Sequence, residues 1–254
     1  NNSDLPLPLG EGRGEGSSGS EDPSSNVSVG GVIQFLGERV GLFAATVDAS
    51  GRDGGGEILV GGDYQGKNPD VRNAQYTFIG SDVTLTADAT LSGDGGKVIV
   101  WSDKVTNFYG NISATGEKGG FAEVSGKESL VFRGDVDLSG ADGSFGTLLL
   151  DPDTITIEGG DGDGDSNNNV TFSGSPSGTA GNITFADTSP TTVFESELEN
   201  LDANIFLSAN ISIGANGTFS HQVGGEGNGV VVLQNNRSLT LQTANDNSAG
   251  NIDL

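Results

Sequence analysis

The chain has 254 residues, with 35 acidic against 11 basic side chains, a net charge of −24, one histidine and no cysteine. So acidic a surface repels nucleic-acid phosphates and anionic lipid. The absent cysteines exclude disulfides and thiolate metal sites, and one histidine leaves no His-based zinc site.

Glycine reaches 43 residues against 7 prolines, and hydrophobic residues make up only 33%. That composition predicts repeated tight turns, with glycine supplying positive φ, around a thin apolar core. No apolar run approaches about 18 residues, and the chain does not open on a charged, apolar and cleavage-site sequence. Neither a membrane span nor a signal peptide is expected, so an exported product would be a mature fragment.

In chain order, residues 1–26 are dominated by Gly, Ser, Pro, Glu and Asp, as in LPLPLGEGRGEGSSGSEDPSS. Too little apolar surface is present to offset ordering entropy, and a flexible linker is expected. Val27 to Asp53 reads as a first coil. Ile33 with Phe35, Val40 with Leu42, and Val47 with Ala49 mark three short strands by alternation, leaving Thr46 and Asp48 toward water.

A second coil opens with GGGEILVGGDYQG, placing Ile58 and Val60 at the positions of Ile33 and Phe35. Counting to its closing Ser92-Gly93 leaves 17 extra residues, assigned to an insertion from Asp63 to Ile79 that carries Tyr64, Lys67, Pro69, Arg72 and Tyr76. Insertions in repeat proteins fall in loops on one side, where they either cover an outer face or bind a ligand.

The best repeats follow. GGKVIVWSDKVTNFYGNISATGEK from Gly95 and GGFAEVSGKESLVFRGDVDLSGAD from Gly119 match at a shift of 24, and GGVIQFLGERVGLFAATVDASGRD from Gly30 is a third copy. Short β-branched runs closed by glycine at a fixed period predict an all-β solenoid of about 24-residue coils. Stacked coils about 4.8 Å apart place like residues in ladders, and Phe43, Phe108 and Phe132 are expected in one of them. Trp101 falls on an outward position. With Tyr64 and Tyr76 it makes the candidate ligand contact where the insertion meets the coil.

FGTLLLDPDTITIE at Phe145–Glu158 gives two further strands about the turn Asp151-Pro152-Asp153. The repeat region thus runs over 27–157. An acidic Gly/Asp/Asn loop follows at 158–169, and more degenerate coils occupy 170–254, with one helical turn at Glu195–Leu201 that would survive by packing Leu198 and Leu201.

Three constellations bear on chemistry. Asp161, Asp163 and Asp165 have the alternate spacing of a calcium loop, although Ser166 and Phe172 stand where a helix-loop-helix calcium site needs glycine and a bidentate glutamate. Asp135 with Asp137, or Asp151 with Asp153, have the minimal spacing of a carboxylate pair for glycoside hydrolysis, and Arg133 is the basic residue nearest Asp135 for lyase chemistry. Each aspartate is also ordinary on a strand face or in a turn. His221 has no triad partner nearby in sequence, and the G-x-G strings lack a following helix and lysine, which excludes a phosphate cradle.

Taken together, GGVIQFLGERVGLFAATVDASG, GGGEILVGGDYQG, GGKVIVWSDKVTNFYGNISATG, GGFAEVSGKESLVFRGDVDLSG and GTLLLDPDTITI resemble the repeat region of filamentous-haemagglutinin-like exoproteins of the two-partner secretion pathway. The resemblance spans Gly30 to Ile157. It implies a right-handed parallel β-helix on the bacterial cell surface or outside the cell. It also implies export through a partner outer-membrane β-barrel transporter and adhesion to host or neighbouring cells or to polysaccharide. No cofactor and no catalytic residue transfer with it. The family's amino-terminal secretion domain with its NPNG-type motif is absent, so the chain reads as an interior or truncated piece. The alternatives are a β-helical carbohydrate-active enzyme and a calcium-stabilised display module.

Overall fold

The structure is a computed structural model that describes residues 27–158, 172–173, 182–183, 191–194, 198, 201–208, 210–213 and 236–242. The linker expected at 1–26, the aspartates Asp161, Asp163 and Asp165, and His221 lie outside the described residues.

Strands come in threes. The first circuit holds β1 (Val32–Phe35), β2 (Arg39–Leu42) and β3 (Thr46–Asp48), and the second β4 (Glu57–Val60), β5 (Tyr76–Ile79) and β6 (Thr84–Thr86). The third holds β7 (Lys97–Ser102), β8 (Val105–Phe108) and β9 (Asn111–Ser113), and the fourth β10 (Phe121–Gly126), β11 (Ser129–Phe132) and β12 (Asp135–Asp137). Then come β13 (Thr147–Leu150), β14 (Thr154–Glu158), β15 (Phe172–Ser173), β16 (Asn182–Ile183), β17 (Thr191–Phe194), β18 (Asn204–Ser208), β19 (Asn210–Ile213) and β20 (Leu239–Gln242).

The protein is all-β, and its sheets are parallel apart from the antiparallel pair β15 and β16. First strands of successive circuits form a seven-stranded sheet ordered β1-β4-β7-β10-β13-β18-β20. Second strands form β2-β5-β8-β11 and third strands β3-β6-β9-β12, while β14 lies between β17 and β19. The chain therefore visits three sheets in turn and returns to each one place further along. Among the described residues no helix is long and apolar enough to cross a membrane.

Alternation decides what each sheet buries. In the seven-stranded sheet, Ile58, Val98, Ala122, Leu148 and Ile205 share one register row, and Val60, Val100, Val124, Leu150 and Leu207 another; all are buried in the main core. Leu198 and Leu201 are buried in the same core. In the second sheet the row carrying Val40 and Leu130 holds Thr77 and Thr106 between them. Their buried hydroxyls donate to Trp101 O and Ser125 O at 2.7 and 2.8 Å, so the polar atoms are satisfied at the corner carbonyls.

Three expectations are corrected. Phe43 is outside the phenylalanine ladder: the row is Leu42, Ile79, Phe108 and Phe132. Phe108 and Phe132 stack at 5.6 Å in the core, whereas Phe43 is 42% exposed and stacks on Phe78 at 5.1 Å. Four positions separate Phe35 from Arg39, and four separate Leu42 from Thr46. The third circuit has five from Val100 to Val105 and three from Phe108 to Asn111. One residue has moved from the first corner to the second, where Ala44 takes φ 44°, and the unchanged total hides the slip.

The insertion also ends earlier than Ile79, because Tyr76–Ile79 is β5 and pairs with β2 and β8. It runs from Gly61 to Gln75. The excess length is shared with later corners, so Gly51 bridges to Ala89 and not to Gly93.

Finally, the doubled glycines that open the first four circuits are not there for positive φ, which among the described glycines occurs at Gly54, Gly61, Gly66, Gly93 and Gly143. They are required by close approach. A Cβ on Gly56, Gly96, Gly120 or Gly146 would stand 2.2, 2.1, 2.2 or 1.9 Å from the carbonyl oxygen of its counterpart one circuit back. Those carbonyls accept the inter-circuit bonds, as in Lys97 N–H to Gly56 O at 2.8 Å and Phe121 N–H to Gly96 O at 2.9 Å.

Candidate functional site

Leu59, Ile99, Glu123 and Leu149 form a row of the seven-stranded sheet between the two core rows, and alternation turns it outward. All four are nonetheless buried. Leu59, Ile99 and Trp101 form a small apolar cluster separate from the main core, with Val71 of the insertion packed against it. The insertion thus covers the outer face of this sheet.

Its fold follows from a few side chains. Ala74 N–H donates to Gly61 O at 2.6 Å and closes the neck. Asp63 caps the 3-10 turn Tyr64–Gly66, accepting from Tyr64 N–H and Asn68 Nδ2 at 2.7 Å each. Lys97 reaches Asp63 at 3.2 Å and also pairs with Glu57. Burial works against the Asp63 carboxylate, yet the bonds from Asn68, Tyr64 N–H and Lys97 hold it below the usual range. Gly62 and Gly66 lie flat on the indole: a Cβ there would stand 2.6 Å from Trp101 Cδ1 and 2.5 Å from Nε1. The Trp101 N–H donates to Asp103 Oδ1 at 3.1 Å, and Asn73 Nδ2 bridges Gly66 O and the same Asp103 oxygen at 2.9 and 3.0 Å.

At the centre, Gln65 adopts φ 52° in the left-handed region and turns its backbone N–H onto the Glu123 carboxyl, 3.0 Å from Oε2 and 3.3 Å from Oε1. Its side-chain Nε2 donates to Asp151 Oδ2 at 2.6 Å, and Asp151 N–H donates to Ser125 Oγ at 3.1 Å. Glu123 is fully buried, and burial pushes its carboxyl up to about 7, with Asp151 and Asp63 adding to the effect and the Gln65 and Ser125 donors opposing it.

The sequence-selected residues divide. Trp101 and Tyr64 meet the insertion, but Trp101 is only 4% exposed, whereas Tyr64 is 45% exposed and sets its ring edge-on to Phe121 at 5.8 Å. Burial, then Glu123 and Asp151, push the Tyr64 hydroxyl up. Tyr76 stands apart on β5, with the Arg39 guanidinium 4.4 Å over its ring and Lys104 at 6.0 Å. Asp135 is exposed, while Asp137 accepts from Ser139 N–H at 2.9 Å in the turn that follows β12. Asp151 is held by the insertion, and Asp153 is exposed. Arg133 Nη1 donates to Phe132 O at 2.7 Å. Among the described residues no three metal-ligating side chains converge.

Glu123 was not selected from sequence, since a polar residue in FAEVSG fits a solvent-facing position. Its signal lies in the neighbouring coils, where Ile58–Val60, Val98–Val100 and Leu148–Leu150 are continuously apolar, the pattern of a sheet covered on both faces.

Beside this cluster an open groove of about 930 Å³ follows the glycine corners, with Lys97, Lys118, Phe121 and Phe145 along it. The chain matches no protein-family model and no curated protein.

Proposed function

We propose that the chain is a structural and adhesive segment of a large secreted or surface-exposed bacterial exoprotein, filamentous-haemagglutinin-like and non-catalytic, built as a right-handed parallel β-helix. One observation carries the reading. All three strands of one circuit pair with the next at a common shift of 24, with Lys97 opposite Phe121, Val105 opposite Ser129, and Asn111 opposite Asp135. Such stacking makes a rigid body that lengthens by whole coils and displays side chains on an extended surface. The net charge of −24 keeps that surface hydrated and turns it away from nucleic acid. The glycine-corner groove, with the Phe121 and Phe145 rings along it, offers a strip on which a polysaccharide can lie. Export through an outer-membrane transporter and attachment to cells or polysaccharide belong to the same proposal.

The experiment is a panel of immobilised polysaccharides and whole cells, with retention and turnover read together, and small-angle scattering on the same sample. Retention without turnover by an elongated particle is the expected result. Turnover that disappears in Asp135→Asn or Asp151→Asn would replace the adhesive reading with an enzymatic one. A compact sphere in scattering would reject the β-helix.

A further inference from the structure

We propose that the Gly61–Gln75 insertion is a pH-operated lid, latched to the seven-stranded sheet through the Glu123 carboxyl and released as that carboxyl ionises, which uncovers the apolar face around Trp101. The inference stands independently of adhesion.

The geometry is that of a latch. The neck is pinned at the corner by Gly61 and Ala74, and the far end of the segment reaches across β7 to β10 and the end of β13, where Gln65 alone spans both carboxyls. The Tyr64–Gly66 turn buries no side chain of its own and meets the sheet through the two Gln65 donors and the edge of the Tyr64 ring on Phe121. Beneath it lies an apolar surface of Leu59, Ile99 and the indole, held out of water only while the segment is down.

Closure removes water from Glu123. The titratable groups facing it are Asp151 beyond β13, and Asp63 and Tyr64 on the lid itself, where the Lys67 ammonium also donates to Gln65 Oε1 at 2.7 Å. Lys97 on β7 is committed to Glu57 and Asp63. Ionising Glu123 with the lid closed therefore adds a third carboxylate to a site whose lysines, Lys97 and Lys67, are bonded to other groups. The Gln65 N–H and the Ser125 hydroxyl favour the ionised form, but they do not offset the loss of water, which leaves the carboxyl near 7 instead of near 4.5. Opening restores that water. The closed state is favoured with Glu123 neutral and the open state with it charged, so the balance turns over across neutral pH, where no ordinary surface carboxyl titrates.

The sequence supplies its own probe, because Trp101 is the single tryptophan. Acrylamide quenching of its fluorescence is measured from pH 5.5 to 9 on the whole chain, with far-UV circular dichroism followed in parallel. The indole is expected to be protected at pH 5.5 and to become several-fold more quenchable by pH 9, with the rise levelling off above about 7 and an unchanged strand signal. Glu123→Gln keeps the acceptor for Gln65 N–H without the charge and is expected to stay protected throughout. Asp151→Asn removes one of the repelling charges, makes it less costly to ionise Glu123 under the closed lid, and is expected to leave the indole better protected at pH 9 than in the parent. Equal quenching at both ends, the same rise in Glu123→Gln, or loss of strand signal in step with quenching would overturn the proposal.

Discussion

The backbone N–H of Gln65 meets the carboxyl of Glu123 at 3.0 Å, joining residues 58 positions apart. With the Gln65 Nε2 bond to Asp151, that contact holds the tip of the insertion on the fourth circuit, two circuits beyond the strand from which it departs. It also makes Glu123 the residue on which the pH response of this face depends.

The raised Glu123 carboxyl gives a stability prediction of definite sign. Its folded-state value, about 7, lies above its unfolded value near 4.5. Its contribution is therefore fully present below about pH 4.5 and lost as pH rises through 7. Glu123→Gln removes that loss. Chemical denaturation is expected to show the variant and the parent nearly equal at pH 4. At pH 8.5 the variant should be the more stable, by up to about 3 kcal/mol.

The glycine corners give a paired test. Gly120→Ala drives a methyl group to 2.2 Å from the backbone oxygen of Gly96, where no flexible side chain can yield. A loss of about 2 to 3 kcal/mol is expected. Gly31→Ala meets nothing within 4 Å at the same place in the first circuit and has no positive φ, so it should be neutral or stabilising by up to about 1 kcal/mol. Thermal melts of the two variants side by side decide the matter.

Phe132 and Phe43 should separate in the same way. Phe132→Ala empties a fully buried ladder position against Phe108 and should cost about 3 to 5 kcal/mol. Phe43→Ala removes a half-exposed ring from Phe78 and should cost no more than about 1.5 kcal/mol.

Thr106 ties two circuits together inside the core, with its hydroxyl donating to Ser125 O and lying 2.8 Å from Ser102 Oγ. Thr106→Val keeps the shape and leaves both partners without it. Urea denaturation is expected to show a loss of about 1 to 3 kcal/mol.

Much of the architecture was legible because it repeats locally. The alternation of apolar residues after each doubled glycine, as in Ile58-x-Val60 and Val98-x-Val100, located the first strands, and the Gly95 and Gly119 repeats set the register of all three sheets. What escaped was non-local. A residue exchanged between two corners left the count intact and shifted Leu42 into the place expected for Phe43. Glu123 looked solvent-facing because its burial comes from a segment far along the chain, which strand alternation cannot register. Of the three aromatic residues expected at a binding face, Tyr76 belongs to another sheet, since the length of the second circuit is spread over its corners and not held in one loop.

The corner between Val60 and Tyr76 takes up fifteen residues, yet β4 and β5 still meet β7 and β8 in step. Length added there is tolerated because the flanking ladders are closed by neighbours above and below, not by the connection itself. Foreign peptides grafted at this corner would be carried on the outside of an undisturbed body, and new surface can arise there without renegotiating the core.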